Sequence, residues 1–309
     1  MTPTNETHSN ARTPTKTGAN VADPDVFNAT DERPVKPASV ILNLLRTYAE
    51  QGTSVTNIMA TGAMFGFSDN RMRVGLSRLV AKRTIENFSR GCYRLTSATD
   101  QFNAFIEQWR LGESRVVPWG HRWLLVHRSR DVSPTAATKG EWALTHQGFR
   151  ETHKGCWIRP DNLALDPNML EAQLRYLGLE DEALLASDAK LNAQWQQRWL
   201  TQVTPERLLE RYRLMSRRLT SSLAGLPNLN RAAAMKASFQ LGGQAIEMLS
   251  TDPLLPAELL DTEPRESLWR LLCNYDRVGR ELWAGTNDSN TSSTHTVTPS
   301  AQAARAQSR

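Results

Sequence analysis

Apolar residues recur along this chain at a helical period, then at a strand period, and the alternation between the two orders the reading. Val40, Ile41, Leu44, Leu45 and Tyr48 repeat at helical spacing after Ser39, an expected N-cap, and Gly52 closes the segment. A second short helix follows, capped by Thr53 or Ser54, with Val55, Ile58 and Met59 facing inward. Gly62 to Phe67 reads as a turn with apolar anchors. Ser68 then caps a third helix running to Lys82, and Asp69 in its first turn complements the positive end of the helix dipole. On a helical wheel Met72, Leu76, Leu79 and Val80 gather on one side with Gly75. Asn70, Arg71, Arg73, Val74, Ser77 and Arg78 occupy the other side. Thr84 to Phe88 and Cys92 to Thr96 predict two short strands around a three-residue turn, Ser89-Arg90-Gly91, with a positive φ at Gly91. Three helices followed by a hairpin is the winged helix-turn-helix plan.

Ala98 to Arg110 predicts a connecting helix with Phe102, Phe105, Ile106 and Trp109 on one stripe. Trp123 to Val126, Cys156 to Ile158 and Ala183 to Ala186 read as strands, and Met169 to Leu177 as a helix closed by Gly178. Strands interleaved with a helix predict a small α+β domain. From Lys190 to Ala284 the pattern is wholly helical. One helix carries Leu191, Trp195 and Trp199; a second opens at Thr204-Pro205-Glu206, a cap followed by a first-turn proline, and runs through Leu208, Tyr212, Met215 and Leu219. A third spans Arg231 to Ser250, Asp252 to Pro256 breaks the pattern, and a last helix runs through Leu259, Leu268, Leu271, Leu272 and Tyr275. The expected partition is a tail over 1–36, a winged-helix domain over 37–97 and a linker helix over 98–118. An α+β domain over 119–189, a helical domain over 190–285 and a second tail over 286–309 complete it. Both tails are too polar to offset their ordering entropy and are predicted to be disordered.

Charge adds to this picture through its placement. The chain of 309 residues carries a formal net charge of +5. Between Ser68 and Arg94, Arg71, Arg73, Arg78, Lys82, Arg83, Arg90 and Arg94 face only Asp69 and Glu86, so this one segment holds the entire basic excess. That is the footprint of a local polyanion site. A major groove admits one helix, where Arg pairs with guanine and Asn with adenine. The DNA-binding candidates are therefore Asn70, Arg71, Arg73 and Arg78 on the outward face, with Ser68, Ser77 and Lys82 for phosphates. Arg90 and Arg94 on the hairpin and Thr56 early in the second helix are further backbone candidates. Cys92, Cys156 and Cys273 are widely spaced and indicate neither a disulfide frame nor a zinc site. No apolar run approaches the roughly 20 residues of a membrane helix, and no signal core is present, so the expected address is cytoplasmic.

The whole order resembles the PaaX-like family, repressors of phenylacetate catabolism. The likeness rests on Arg71 to Leu79 with Tyr93 to Thr96, on Gly148-Phe149 with Gly155 to Asn162, and on Asp252 to Leu260. It implies a homodimeric, multidomain α+β repressor without enzymatic activity. Its parts would be a winged helix, a ferredoxin-like middle domain similar to that of a small CRISPR-associated nuclease, and an all-α C-terminal domain. It also implies an operator in double-stranded DNA and release by an aryl-acyl-CoA effector such as phenylacetyl-CoA, with no other cofactor and no membrane partner. The chain departs from the family at Asp261 to Arg265, where a Trp-Pro-Gly turn is expected. A DNA-binding activator or architectural protein without an effector is the alternative. A metal-dependent nuclease is a further one, but it needs several carboxylates, and only Asp131 follows the first middle-domain strand. The tryptophans, among them Trp123, Trp142, Trp157, Trp195, Trp199, Trp269 and Trp283, read as core and dimer packing residues, a few of which could line an acyl pocket. Arg175, Arg211, Arg213, Arg217 and Arg218 could hold CoA phosphates, but solvated helix faces are the favoured reading.

Overall fold

The computed structural model describes residues 35–284, apart from 49–50, 98, 100–104 and 130–131. The expectations for residues 1–34 and 285–309, for Phe102 and for Asp131 concern residues outside these. Helix α1 (Pro37–Tyr48) starts two residues before the expected Ser39 cap: Val40 N donates to Lys36 O at 3.2 Å, and Pro37, whose φ is preset for helix, opens the first turn. Its face of Val40, Ile41, Leu44 and Leu45 is buried. Strand β1 (Thr53–Ser54) leads into α2 (Val55–Met64), capped by the Ser54 hydroxyl, which accepts from Asn57 N. Helix α3 (Asp69–Ala81) and strands β2 (Ile85–Ser89) and β3 (Cys92–Leu95) follow, in a sheet of order β1-β3-β2 with antiparallel pairing. Ser89 pairs with Cys92, so the hairpin turn is Arg90-Gly91, one residue shorter than expected, and Gly91 has a φ of 71°. Helices α1 and α3 approach closely at Gly75, where a Cβ would lie 3.1 Å from Pro37 Cβ. Met72, Leu76, Leu79 and Ile58 fill the core beneath them, but Val80, expected there, is 39% exposed.

The linker departs from expectation. Phe105 to Glu107 are helical, but Gln108–Arg115 tightens to 3-10 geometry and breaks at Gly112 (φ 53°, ψ −132°). Gly112 lies so close to the Trp269 ring that a Cβ there would sit 2.4 Å from it, so tertiary packing rather than periodicity decides the path. The middle segment has the chain order β4 (Trp123–His127), α4 (Pro134–His146), β5 (Arg150–His153), β6 (Cys156–Pro160), α5 (Pro167–Leu177), β7 (Leu184–Ala189). Its antiparallel sheet has the order β5-β6-β4-β7. Leu124, Val126, Leu144, Phe149, Leu170 and Leu174 bury one side of it under α4 and α5.

Four helices complete the described chain: α6 (Ala193–Val203), α7 (Pro205–Gly225), α8 (Arg231–Ser250) and α9 (Glu263–Ala284). Thr204 is not the side-chain cap expected for α7; its backbone is left-handed, at φ 47°, and its hydroxyl makes no capping bond. Leu191 precedes α6 and Leu259 precedes α9, so each of these helices is shorter than expected at its start.

The break after α8 is held by a network of buried hydrogen bonds. Tyr212 donates to Asp252 Oδ2 at 2.6 Å, and Leu254 N to Asp252 Oδ1 at 2.8 Å. From the end of β6, Asn162 Nδ2 donates to Leu254 O at 2.8 Å while its Oδ1 accepts from Arg159 Nη2 at 3.0 Å. Burial pushes the Arg159 guanidinium down to about 9. Arg265 donates to Leu255 O at 2.9 Å and holds Glu113 with two bonds, at 2.8 and 2.7 Å. Gly148 packs its backbone on Pro253. Gly148, Arg159 and Asn162 of the middle segment thus meet the Asp252 to Leu255 loop, far along the chain, at one junction.

Candidate nucleic-acid interface

Two local devices aim α3 outward. Ser68 caps it, accepting from Arg71 N at 3.4 Å, with Asp69 in the first turn. The buried stripe Met72, Gly75, Leu76, Leu79 then fixes its rotation against α1 and α2. With that stripe inward, Asn70, Arg71, Arg73, Ser77, Arg78 and Lys82 are all exposed, as is Ser68. Thr56 is exposed in the first turn of α2, and Arg90 is exposed at the hairpin tip. The structure therefore brings the α3 candidates onto one surface, with Arg90 on a separate projection.

The basic groups differ in how they are held. Arg71 lies with its guanidinium 5.0 Å from the Phe67 ring centroid, a cation–π contact that draws it back toward the turn before α3. Among the described residues Arg71, Arg73, Arg78, Lys82 and Arg90 form no ion pair. Arg94 is different: its Nε donates to Glu86 Oε1 at 2.7 Å, and its guanidinium stacks over Phe88 at 5.1 Å. Hairpin pairing thus neutralises one of the cations expected to serve DNA. Cations without carboxylate partners keep their full charge for an external polyanion.

Val74 stands out on this surface. It is apolar, 42% exposed, and surrounded on the helix by Asn70, Arg73, Ser77 and Arg78. Its position on the outward face is legible from a helical wheel.

Elsewhere, an open cleft of about 380 Å³ in the middle segment is lined by residues including Arg128, Ser129, Ala137, Glu151, Lys154 and Trp157. Arg128 is committed to Glu180 through Nε at 2.7 Å, and both are buried. Among the described residues there is no group of three His, Cys, Asp or Glu side chains placed to hold a metal ion. No described helix is long and apolar enough to cross a membrane.

No protein-family model matches the chain, and neither does any curated protein sequence. Among solved structures it is similar to the uncharacterized protein Rv0674 from Mycobacterium tuberculosis, with a TM-score of 0.56 and 21% identity over 82% of this chain and 98% of that one. The likeness is one of fold.

Proposed function

We propose that this chain is a DNA-binding transcriptional repressor that places α3 in the major groove as a homodimer and leaves its operator on binding an aryl-acyl-CoA. The observation that carries the DNA reading is the exposed basic surface of α3, free of ion pairs to described residues, on a helix whose rotation is fixed by its own core. Recognition helices present their outward face to base edges in this way. The chain order helix, strand, helix, helix, hairpin, with β1 paired to β3, supports a winged helix. The βαββαβ order with sheet order β5-β6-β4-β7 supports a ferredoxin-like middle domain. For the effector, the cleft offers Trp157 as an aromatic wall and Lys154 as a cation beside Glu151, a setting for an aryl thioester.

A mobility-shift assay on DNA upstream of the protein's own gene tests both halves. Retarded DNA that is released by phenylacetyl-CoA, but not by phenylacetate or free CoA, is the expected result. Binding that no acyl-CoA alters would favour an activator or architectural protein. Absence of binding to any duplex removes the proposal.

A further inference from the structure

The surface of α3 is not uniformly basic, and its layout divides the work of recognition. At about 100° per residue, the pole opposite the buried stripe carries Asn70, Val74, Ser77 and Ala81, none of them charged. Arg71 and Arg78 lie along one flank of this strip and Arg73 along the other. Arg71 is further drawn to its flank by the Phe67 ring at 5.0 Å.

We infer that the uncharged strip reads the bases, with Val74 seated on the methyl group of a thymine, while Arg71, Arg73 and Arg78 hold the phosphates of the groove walls. The inference rests on the DNA-binding reading and deepens it. A helix lying in the major groove points its outward pole at the groove floor and its flanks at the two backbones. An exposed valine is the side chain whose favourable partner there is the thymine C5-methyl, the one apolar feature of a base edge. Asn70, one turn earlier on the same strip, suits the paired acceptor and donor of adenine. Four residues of helix rise about 6 Å, so Asn70 and Val74 address neighbouring base pairs, and the half-site they read contains A·T pairs. Arginine on the flanks meets phosphate, which fixes register without carrying sequence. This assigns Arg71 and Arg78 to backbone rather than to guanine.

The test uses the full-length protein. Its preferred duplex is selected from a random library, and binding is then measured with each thymine replaced in turn by uracil, which removes only the methyl group. For the wild type, uracil at one position is expected to weaken binding about fourfold, the affinity equivalent of one buried methyl. Val74→Ala should bind the thymine and uracil duplexes alike at that position. Melting of this variant within a degree or two of the wild type, as expected for an exposed site, confirms that folding is not the cause. Arg71→Ala and Arg78→Ala should weaken selected and unselected duplexes by the same factor. If no thymine distinguishes the wild type from Val74→Ala, or if Arg71→Ala changes base preference, the division of labour is wrong while DNA binding stands. A protein that binds but selects no sequence also refutes the inference. Failure to bind any duplex instead refutes the function proposed above, and the inference with it.

Discussion

Substituting Gly148 by alanine isolates the junction where the middle sheet meets the loop after α8. Gly148 has a φ of 79°, and a Cβ placed there would lie 2.9 Å from Pro253 Cα and 3.0 Å from Pro253 O. Both are backbone atoms, and Asp252 and Leu254 on either side are pinned by hydrogen bonds, so the loop has little room to retreat. Two costs add. The left-handed conformation of a non-glycine residue costs about 1–2 kcal/mol. Forcing an extra carbon into a packed interior costs about 1–3 kcal/mol more. Gly91 supplies the control, because its φ is 71° but its Cβ would meet only Val55 Cγ1, at an ordinary 3.7 Å. Gly91→Ala should therefore show the conformational cost alone. Urea unfolding, with stabilities compared at equal m, measures both. The expected result is that Gly148→Ala loses about 1–3 kcal/mol more than Gly91→Ala. Equal losses in the two variants would show that the contact with Pro253 is not tight, and would refute the view of this junction as a fixed joint.

Other outcomes follow from the same geometry. Anisotropy titrations over a range of salt concentrations should show log affinity falling with log salt, and each of Arg73→Gln and Arg90→Gln should flatten the slope by about 0.9; Arg94→Gln, already paired with Glu86, should change it less. Asn162→Ala strands Leu254 O in a buried site and removes one acceptor from Arg159, at a cost of about 1–3 kcal/mol in chemical unfolding, whereas Asn168→Ala on an exposed surface should be near neutral. Burial and the neighbouring Arg150 hold His146 below its usual value, so the unfolded chain takes up a proton that the folded one refuses. Stability should then fall as pH drops below about 6.5, and His146→Gln should flatten thermal melting between pH 7 and 5. Phe239→Ala removes the edge-on contact with Phe65 at 5.7 Å and should separate melting of the N-terminal helices from that of the rest, seen as two calorimetric transitions in place of one.

What the sequence made legible was whatever carries a local signature. The cap at Ser68, the proline opening α7, the span of α8 and the buried stripe of α3 each depend on residues within a turn or two of one another. Elements without such a signature escaped. Strand β5, Arg-Glu-Thr-His, is polar throughout and forms only because β6 lies beside it. Strand β1 is two residues long, too short for any period to show. Helix α4 buries only Gly140, Ala143 and Leu144, so small residues stand where a stripe of large ones would mark a helix. The break near Gly112 is imposed by Trp269, more than 150 positions away. The candidate interface was legible for the same reason that α3 was, but its partners were not. That Glu86 would claim Arg94, or Phe67 draw in Arg71, depends on side-chain reach across a hairpin and a turn.

Helix α8 joins the junction to the end of the molecule that carries α3. Its last turn runs directly into Asp252, the residue held by Tyr212, while Met235 and Phe239 in its first half pack with the N-terminal core. Twenty residues of α-helix span about 30 Å, and a packed helix transmits displacement along its axis with little loss. At the far end Phe65 makes an edge-on contact with Phe239 and lies 5.6 Å from the Trp283 ring. Phe65 is also the C-cap residue of α2, only three positions before the Ser68 cap of α3. One helix and one aromatic cluster thus connect the loop held by Asn162 and Arg159 with the turn that precedes α3. Contiguity of this kind carries regulation only when some element on the path has two stable arrangements. The Asp252 to Pro256 loop is the place to look for them, because Leu254 is held there at a φ of 51°, a strained conformation that its hydrogen bonds to Asp252 and Asn162 maintain. Were those bonds broken, the strain itself would favour a second arrangement.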